Sequence, residues 1–346
     1  MPELKLFTIA QLRDWVMHNN ATAGLSDIII SRARAWAIIN NPYVCEEDPV
    51  VAAIFVDNVN VAYTTAFPEQ IDGRRYWWFS ALWCDSKYQG NGYGLIVIGS
   101  LAEVYGIEFC LDRWGAKETV EIFTYLGHNT VYTTRYICGV NVQRTTMKGK
   151  CIYQIRKLQT KWHRAFDVHP HEDYALRYMS YIDDETYSFI KLHNEFEHLH
   201  HTQAFLNWGV QYSYTQSAPL VGRVMNKMPF SQSELQDSQS YAVKVIKDDM
   251  IIGFYIMKKK EEGLHILYLY FDDAYKNQVF ASIRDHINCL HIERCITENK
   301  ALAEYLRRHI YFPKYSEAQV SFSYPATMPE PQAGHIQYGD GDCFVA

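Results

Sequence analysis

Tyr88-Gln-Gly-Asn-Gly-Tyr-Gly94 lies between an aromatic β-pattern, Arg75-Tyr-Trp-Trp-Phe-Ser-Ala-Leu-Trp-Cys84, and an apolar helical run, Gly94-Leu-Ile-Val-Ile-Gly-Ser-Leu-Ala-Glu-Val104. Glycines at a helix start let consecutive backbone N–H groups point into one space, and the helix dipole adds partial positive charge there. The stretch therefore predicts a pyrophosphate cradle. Taken alone, Gln89-x-x-Gly92-x-Gly94 is a weak motif; the strand before it, the helix after it and the strands upstream give it weight.

Working outward, the first half alternates strands and helices. A strand at Leu4–Phe7 leads into a helix near Ala10–His18 with Leu12, Trp15 and Val16 on one face. Ser26 and Asp27 can cap a second helix reaching Ile39, before Pro42. Strands follow at Val50–Val56, Val59–Phe67 and Arg75–Cys84, with turns at Asp57-Asn58 and Asp72-Gly73. After the glycine loop and its helix come a strand Ile107–Leu111, a helix Lys117–Leu126 closed by Gly127, and strands near Val131–Val140 and Lys150–Lys157.

With the glycine loop after the fourth strand of this order, residues 1–158 resemble the GNAT superfamily of acyl-CoA-dependent N-acyltransferases. Gln89, Gly92 and Gly94 fill that family's Arg/Gln-x-x-Gly-x-Gly/Ala signature, and Tyr125-Leu-Gly-His128 is similar to its Leu-Gly-Phe helix end. The resemblance implies acetyl-CoA or a longer acyl-CoA as cofactor. The backbone of Gly90, Asn91, Gly92, Tyr93 and Gly94 would hold the pyrophosphate and Gln89 would brace the loop. Leu82, Trp83 and Cys84 would pair with pantetheine as an added strand.

The implied reaction is attack of an amine on the thioester, which needs positioning, proton removal, an oxyanion donor and protonation of the thiolate. Relatives often place a thiolate-protonating Tyr where this chain has Phe123, which donates no proton and is left to line the cofactor site. Tyr125 lies two residues on, about 200° around a helix. No carboxylate occurs in Tyr76–Cys84; Asp85 at its end and Glu69 in the loop before it are the candidate bases, Asp85 doubling as a cap for the loop.

From Gln159 onward a similar order returns. Helical segments are expected at Asp184–Phe205 and Pro219–Lys227, strands at Tyr241–Ile246, Ile251–Lys258 and His265–Phe271, a helix at Asn277–Cys289, a strand at His291–Thr297 and a helix at Asn299–His309. Laying Tyr275–Ala281 over Tyr88–Gly94 puts Val279 in the place of Gly92, where a Cβ obstructs approach of a diphosphate. The fold class is thus α+β (α/β/α), with two tandem GNAT-like domains, each a mixed twisted sheet flanked by helices. Residues 159–346 would be a degenerate copy serving substrate binding or structure; an unrelated α+β domain is the alternative.

His193, Glu197 and His201 recur at i, i+4, i+8, a stripe that could ligate a metal or form a polar helix face; no metal is assigned to it. Asp340-Gly-Asp342 suits a turn or a cation. Lys258-Lys-Lys260, followed by Glu261-Glu262-Gly263, reads as a solvated hairpin end.

Residues 1–158 are neutral and residues 159–346 carry net charge −6, so neither half has the basic excess of a nucleic-acid binder. Eight scattered cysteines without a Cys-x-x-Cys pair, no bilayer-length apolar run and no leader-like opening predict a cytoplasmic protein without membrane partners. The acidic second half points to a small-molecule amine rather than a protein acceptor, while a non-catalytic acyl-CoA-binding module is the rival reading.

Overall fold

The computed structural model describes residues 1–18, 25, 29–113, 115–139, 147–165, 173–194, 197–212, 238–260, 263–310 and 312–341. Its first half runs β1 (Glu3–Thr8), α1 (Ile9–His18), α2 (Arg32–Ile39), β2 (Pro49–Val56), β3 (Val59–Ile71), β4 (Arg74–Cys84), α3 (Tyr93–Tyr105), β5 (Cys110–Arg113), α4 (Lys117–Tyr125) and β6 (His128–Gly139). A connecting helix, α5 (Met147–Ala165), follows. Then come β7 (Ala175–Met179), α6 (Asp184–Leu192), α7 (Gln203–Gln211), β8 (Ser238–Lys247), β9 (Met250–Lys260), β10 (Gly263–Phe271), α8 (Lys276–Cys289), β11 (Arg294–Thr297), α9 (Lys300–His309) and β12 (Tyr315–Pro325). Among the described residues, and apart from α5, the strands and α-helices of the second half follow the order of the first.

The strands form one twelve-stranded sheet in the order β1-β2-β3-β4-β5-β12-β6-β11-β10-β9-β8-β7. Within each half the first four strands are antiparallel and the fifth runs parallel to the fourth, β5 on β4 and β11 on β10. The last strands then exchange neighbours. β12 inserts beside β5 and β6 lies beside β11, and the two pair antiparallel from Tyr315↔Cys138 to Pro325↔His128.

Local chemistry repeats as well. Asp57 and Asn58 take φ of 50° and 63°, and Asp248 and Asp249 take 49° and 61°, so the β2–β3 and β8–β9 hairpins each turn through two left-handed residues. Side chains knit the halves together: the Trp208 ring of α7 packs 5.5 Å from Phe67 of β3, and its Nε1 donates to the Ala37 carbonyl of α2 at 2.7 Å. The described residues thus contain one core cluster drawn from both halves and a second beneath α8 and α9.

Several sequence expectations need correction. Lys150–Lys157 alternates like a strand but lies inside α5, where Tyr153 and Lys157, four residues apart, both meet the carboxylate of Glu293. The helix expected over Asp184–Phe205 is interrupted between α6 and α7, each with its own side-chain cap, Asp183 and Thr202. Helix α2 begins at Arg32 under a Ser31 cap, whereas Ser26 and Asp27 lie outside the described residues, as does Pro219–Lys227. Lys258 is inside β9 and only 2 % exposed, not at a solvated hairpin end. Residues 107–109 form a 3-10 turn before a four-residue β5, and β12 was not foreseen.

At the β6–β11 junction Gly139 has φ +143°, and a Cβ there would lie 2.3 Å from the Glu293 carbonyl oxygen and 2.6 Å from Arg294 Cα. Gly139→Ala must therefore push β11 away and is expected to cost about 3 kcal/mol. Gly73→Ala, at φ +77° with nothing within 4 Å, should cost about 1 kcal/mol. Equal losses in denaturant unfolding would refute the junction's role.

Candidate functional site

Strand β4 leaves its parallel partner early. It pairs with β5 only from Trp77↔Cys110 to Phe79↔Asp112, while its other edge stays on β3 as far as Cys84↔Ala62. At Ala81, φ +55°, the register on β3 slips from Thr65↔Ser80 to Tyr63↔Trp83, which is a β-bulge. Among the described residues no strand covers the β5-facing edge of Ser80–Cys84. Such an edge offers N–H and C=O groups to an extended ligand.

The edge leads into the glycine loop. Asp85 donates its backbone N–H to Val61 at 2.9 Å, and its carboxylate accepts from the Lys87 amide at 2.9 Å, so Asp85 caps the 3-10 turn Ser86–Tyr88. Gly90 and Gly92 have φ of +86° and +76°, a region closed to most side chains. Gly92 is the N-cap of α3 and supplies no side-chain acceptor, so the first-turn amides have no side-chain cap. Gln89 and Asn91 are exposed, Tyr93 and Gly94 half-buried, and a Cβ at Gly94 would make ordinary contact with Ile122 at 3.5 Å and Leu82 at 3.9 Å. Trp83 stacks on Tyr63 at 5.4 Å.

Other expected site residues are placed elsewhere. Phe123 is fully buried, edge-on to Phe79 at 5.6 Å and His128 at 5.0 Å, so it belongs to the core and not to a cofactor wall. Tyr125 is 78 % exposed on the opposite face of α4. Glu69 lies within β3 rather than in a loop, and its side chain is fully buried.

The second half keeps the scaffold and loses the cradle. Asp272 repeats Asp85, donating to Ile252 at 3.1 Å and accepting from the Ala274 amide at 2.8 Å. Helix α8 then begins at Lys276, immediately after Tyr275, with no counterpart to Gln89–Gly92. Val279 is therefore helical and packs on β9, where a Cβ on Gly253 would come within 2.4 Å of it. Beyond the β10–β11 pairing, which spans only Gly263–His265, the β10 edge is taken by the chain's own C-terminal segment. Gly339 donates to the Leu267 carbonyl at 2.8 Å, and Gln337 Oε1 accepts from the Leu269 amide at 2.8 Å.

That segment carries Asp340 into a buried charge cluster. His201 contacts Glu69 through Nδ1, and through Nε2 it meets Asp340 at 2.9 Å and Glu197 at 3.5 Å. Trp78 Nε1 donates to Glu69 at 2.6 Å, and Arg113 at the end of β5 pairs with Asp340 at 3.4 Å and with Glu298, which follows β11. Glu197 accepts from Tyr270 at 3.0 Å and from Gln337 at 3.0 Å. Ionised carboxylates accept only, so facing Glu69 and Asp340 the two ring nitrogens of His201 act as donors. His193 ends α6 outside the cluster, so the helical stripe does not exist; Glu197 and His201 meet in the loop before α7.

No family model and no curated sequence matches the chain. Solved structures do match. A candidate acetyltransferase from Pyrococcus horikoshii is 9 % identical with TM-score 0.54, covering 100 % of this chain and 96 % of its own. Saccharomyces cerevisiae N-myristoyltransferase with bound myristoyl-CoA is 11 % identical with TM-score 0.50, covering 97 % and 88 %. The chain thus shares its fold with these two structures. Among the described residues no helix is long and apolar enough to cross a membrane.

Burial pushes the Glu197 carboxyl up to about 8; His201 opposes that shift and Asp340 adds to it. Burial works against charge on His201, yet Glu69 and the hydrogen bonds to Asp340 and Glu69 hold its pKa well above the usual range. Both groups bind protons more tightly folded than unfolded, so each loses stability as pH rises: Glu197 from its unfolded value up to about 8, His201 from its unfolded value through its folded one. Melting temperature should fall between pH 6 and pH 8.5. Glu197→Gln should flatten that fall, and an unchanged slope in the variant would contradict the assignment.

Proposed function

We propose that this chain is an acyl-CoA-dependent N-acyltransferase, using acetyl-CoA or a longer acyl-CoA to acylate the primary amine of a small molecule. The observation that carries this reading is the continuity of an uncovered, bulged β4 edge with a helix N-terminus whose amides have no side-chain cap. Pantetheine would pair along Leu82, Trp83 and Cys84, and the diphosphate would sit on the Gly90–Gly94 amides, with Gln89 and Asn91 at the rim.

In the reaction the amine nitrogen attacks the thioester carbonyl, a C–N bond forms, the C–S bond breaks, and one proton passes from nitrogen to bulk while the thiolate gains one. A β4 N–H freed by the bulge is suited to the oxyanion. Asp85, half-buried beside this edge, is the carboxylate nearest the cradle in sequence, although its capping bond competes with a basic role. Glu69 acts on the site only through His201 and Trp78, because its carboxylate is enclosed by them.

The burial of Phe123 and the exposure of Tyr125 favour a second reading, a module that holds acyl-CoA without turning it over. It fits a binding or regulatory role in a cytoplasmic protein equally well.

Calorimetry with CoA, acetyl-CoA and, because the yeast relative holds it, myristoyl-CoA tests the common part. Wild type should bind one of the acyl-CoAs at least tenfold more tightly than a Gly92→Val, Gly94→Val variant of equal helicity; equally weak heats from both proteins sink the cradle. Thiol release with a panel of diamines, amino acids and amino sugars separates the two readings, since turnover by wild type eliminates the binding module.

A further inference from the structure

A cavity of about 220 Å³ lies in the second half where β10 and β11 separate, beneath the C-terminal segment. It occupies the place that corresponds to the uncovered edge of β4, yet the segment Gly334–Tyr338 closes one side of it. A cofactor with a diphosphate has no cradle there. At 220 Å³ it is smaller than the roughly 300–1,000 Å³ typical of ligand pockets, so it fits a small ligand or one end of a larger one.

Its lining contains three carboxyl groups, Glu197, Glu298 and Asp273, and no lysine or arginine. Tyr270, Phe271 and Tyr338 supply aromatic wall. The Glu298 side chain is 2 % exposed, and its Oε1 accepts no hydrogen bond among the described residues, although the Arg135 guanidinium lies 3.8 Å away. A buried carboxylate oxygen left without a donor is costly, and a ligand that donates hydrogen bonds relieves that cost. Carboxyl groups combined with aromatic faces suit one chemistry above others, an organic cation with N–H donors and a short hydrocarbon body.

We infer that this cavity binds an alkylammonium group, with an N–H donor directed to Glu298 Oε1 and its methylenes against the aromatic wall. Glu298 also pairs with Arg113 at the end of β5, so a cation there bears on the residue that flanks the first-half splay. That the bound amine is the acyl acceptor rests on the acyltransferase reading; ammonium binding itself does not.

The test uses the full chain without CoA and the probe n-butylammonium, with n-butanol as the uncharged control of the same shape, followed by NMR titration. Wild type should bind the cation at least tenfold more tightly than the alcohol. Glu298→Gln should reduce cation binding by tenfold or more. Asn194→Trp, which fills the cavity from its lining and replaces no charged side chain, should abolish it and keeps the test decisive if Glu298→Gln fails to fold. Equal binding of cation and alcohol, no binding of either, or binding indifferent to the filled cavity overturns the proposal. CoA calorimetry on the same samples keeps the two readings apart: CoA binding without ammonium binding defeats this inference alone, and ammonium binding without CoA binding defeats the acyl-CoA reading alone.

Discussion

The pairing of β12 with β6 is the constraint on which the rest of the molecule depends. It runs in unbroken register from Tyr315↔Cys138 to Pro325↔His128, and it joins the last strand of one half to the last strand of the other. Each of those strands also completes a sheet begun by the opposite half, β12 on β5 and β6 on β11. Neither half can therefore close its own sheet, because the neighbour that satisfies its backbone groups comes from the other.

This exchange fixes what lies across the sheet centre. After β12 the chain is already at the middle of the molecule, and its C-terminal segment crosses from β10 toward β4 and β5. Two glycines make the crossing possible: a Cβ on Gly339 would lie 2.4 Å from the Tyr268 ring, and one on Gly341, at φ +78°, would lie 3.2 Å from Trp78. Between them Asp340 completes the cluster of Glu69, His201 and Glu197. His201 meets Glu69 and Asp340, and Arg113 meets Asp340 and Glu298, so each of these buried charges has an opposite partner. Removing one partner of such a cluster costs about 3–5 kcal/mol, because the opposite charge is left buried and unpaired.

Much of the scaffold was legible. The glycine loop, the turns at Asp57-Asn58 and Asp72-Gly73, the cap at Asp85 and most strands of both halves follow from short-range rules that the residues state directly. The repeat of elements was legible too, and with it the lost cradle, read from Val279 in the place of Gly92; the structure adds that the loop itself is absent, since the helix starts at Lys276. Alternation misled at Lys150–Lys157, where Tyr153 and Lys157 are helical neighbours reaching for Glu293. Glu69, Glu197, His201 and Asp340 each drew attention in the sequence for separate reasons, as base, metal stripe and turn. Their union did not, since His201 is 132 residues from Glu69 and 139 from Asp340.

The sequence by itself determined the elements, their repetition and the one place where a helix opens on glycines, because propensity, periodicity and φ preference act within a few residues. Only the tertiary structure decided that the halves exchange strands, that the second splay is filled by the chain's own end, and that four unrelated acidic and imidazole side chains form one cluster. Those outcomes depend on which backbone edges and charges are left unsatisfied after local structure has formed, and only a partner distant in sequence satisfies them.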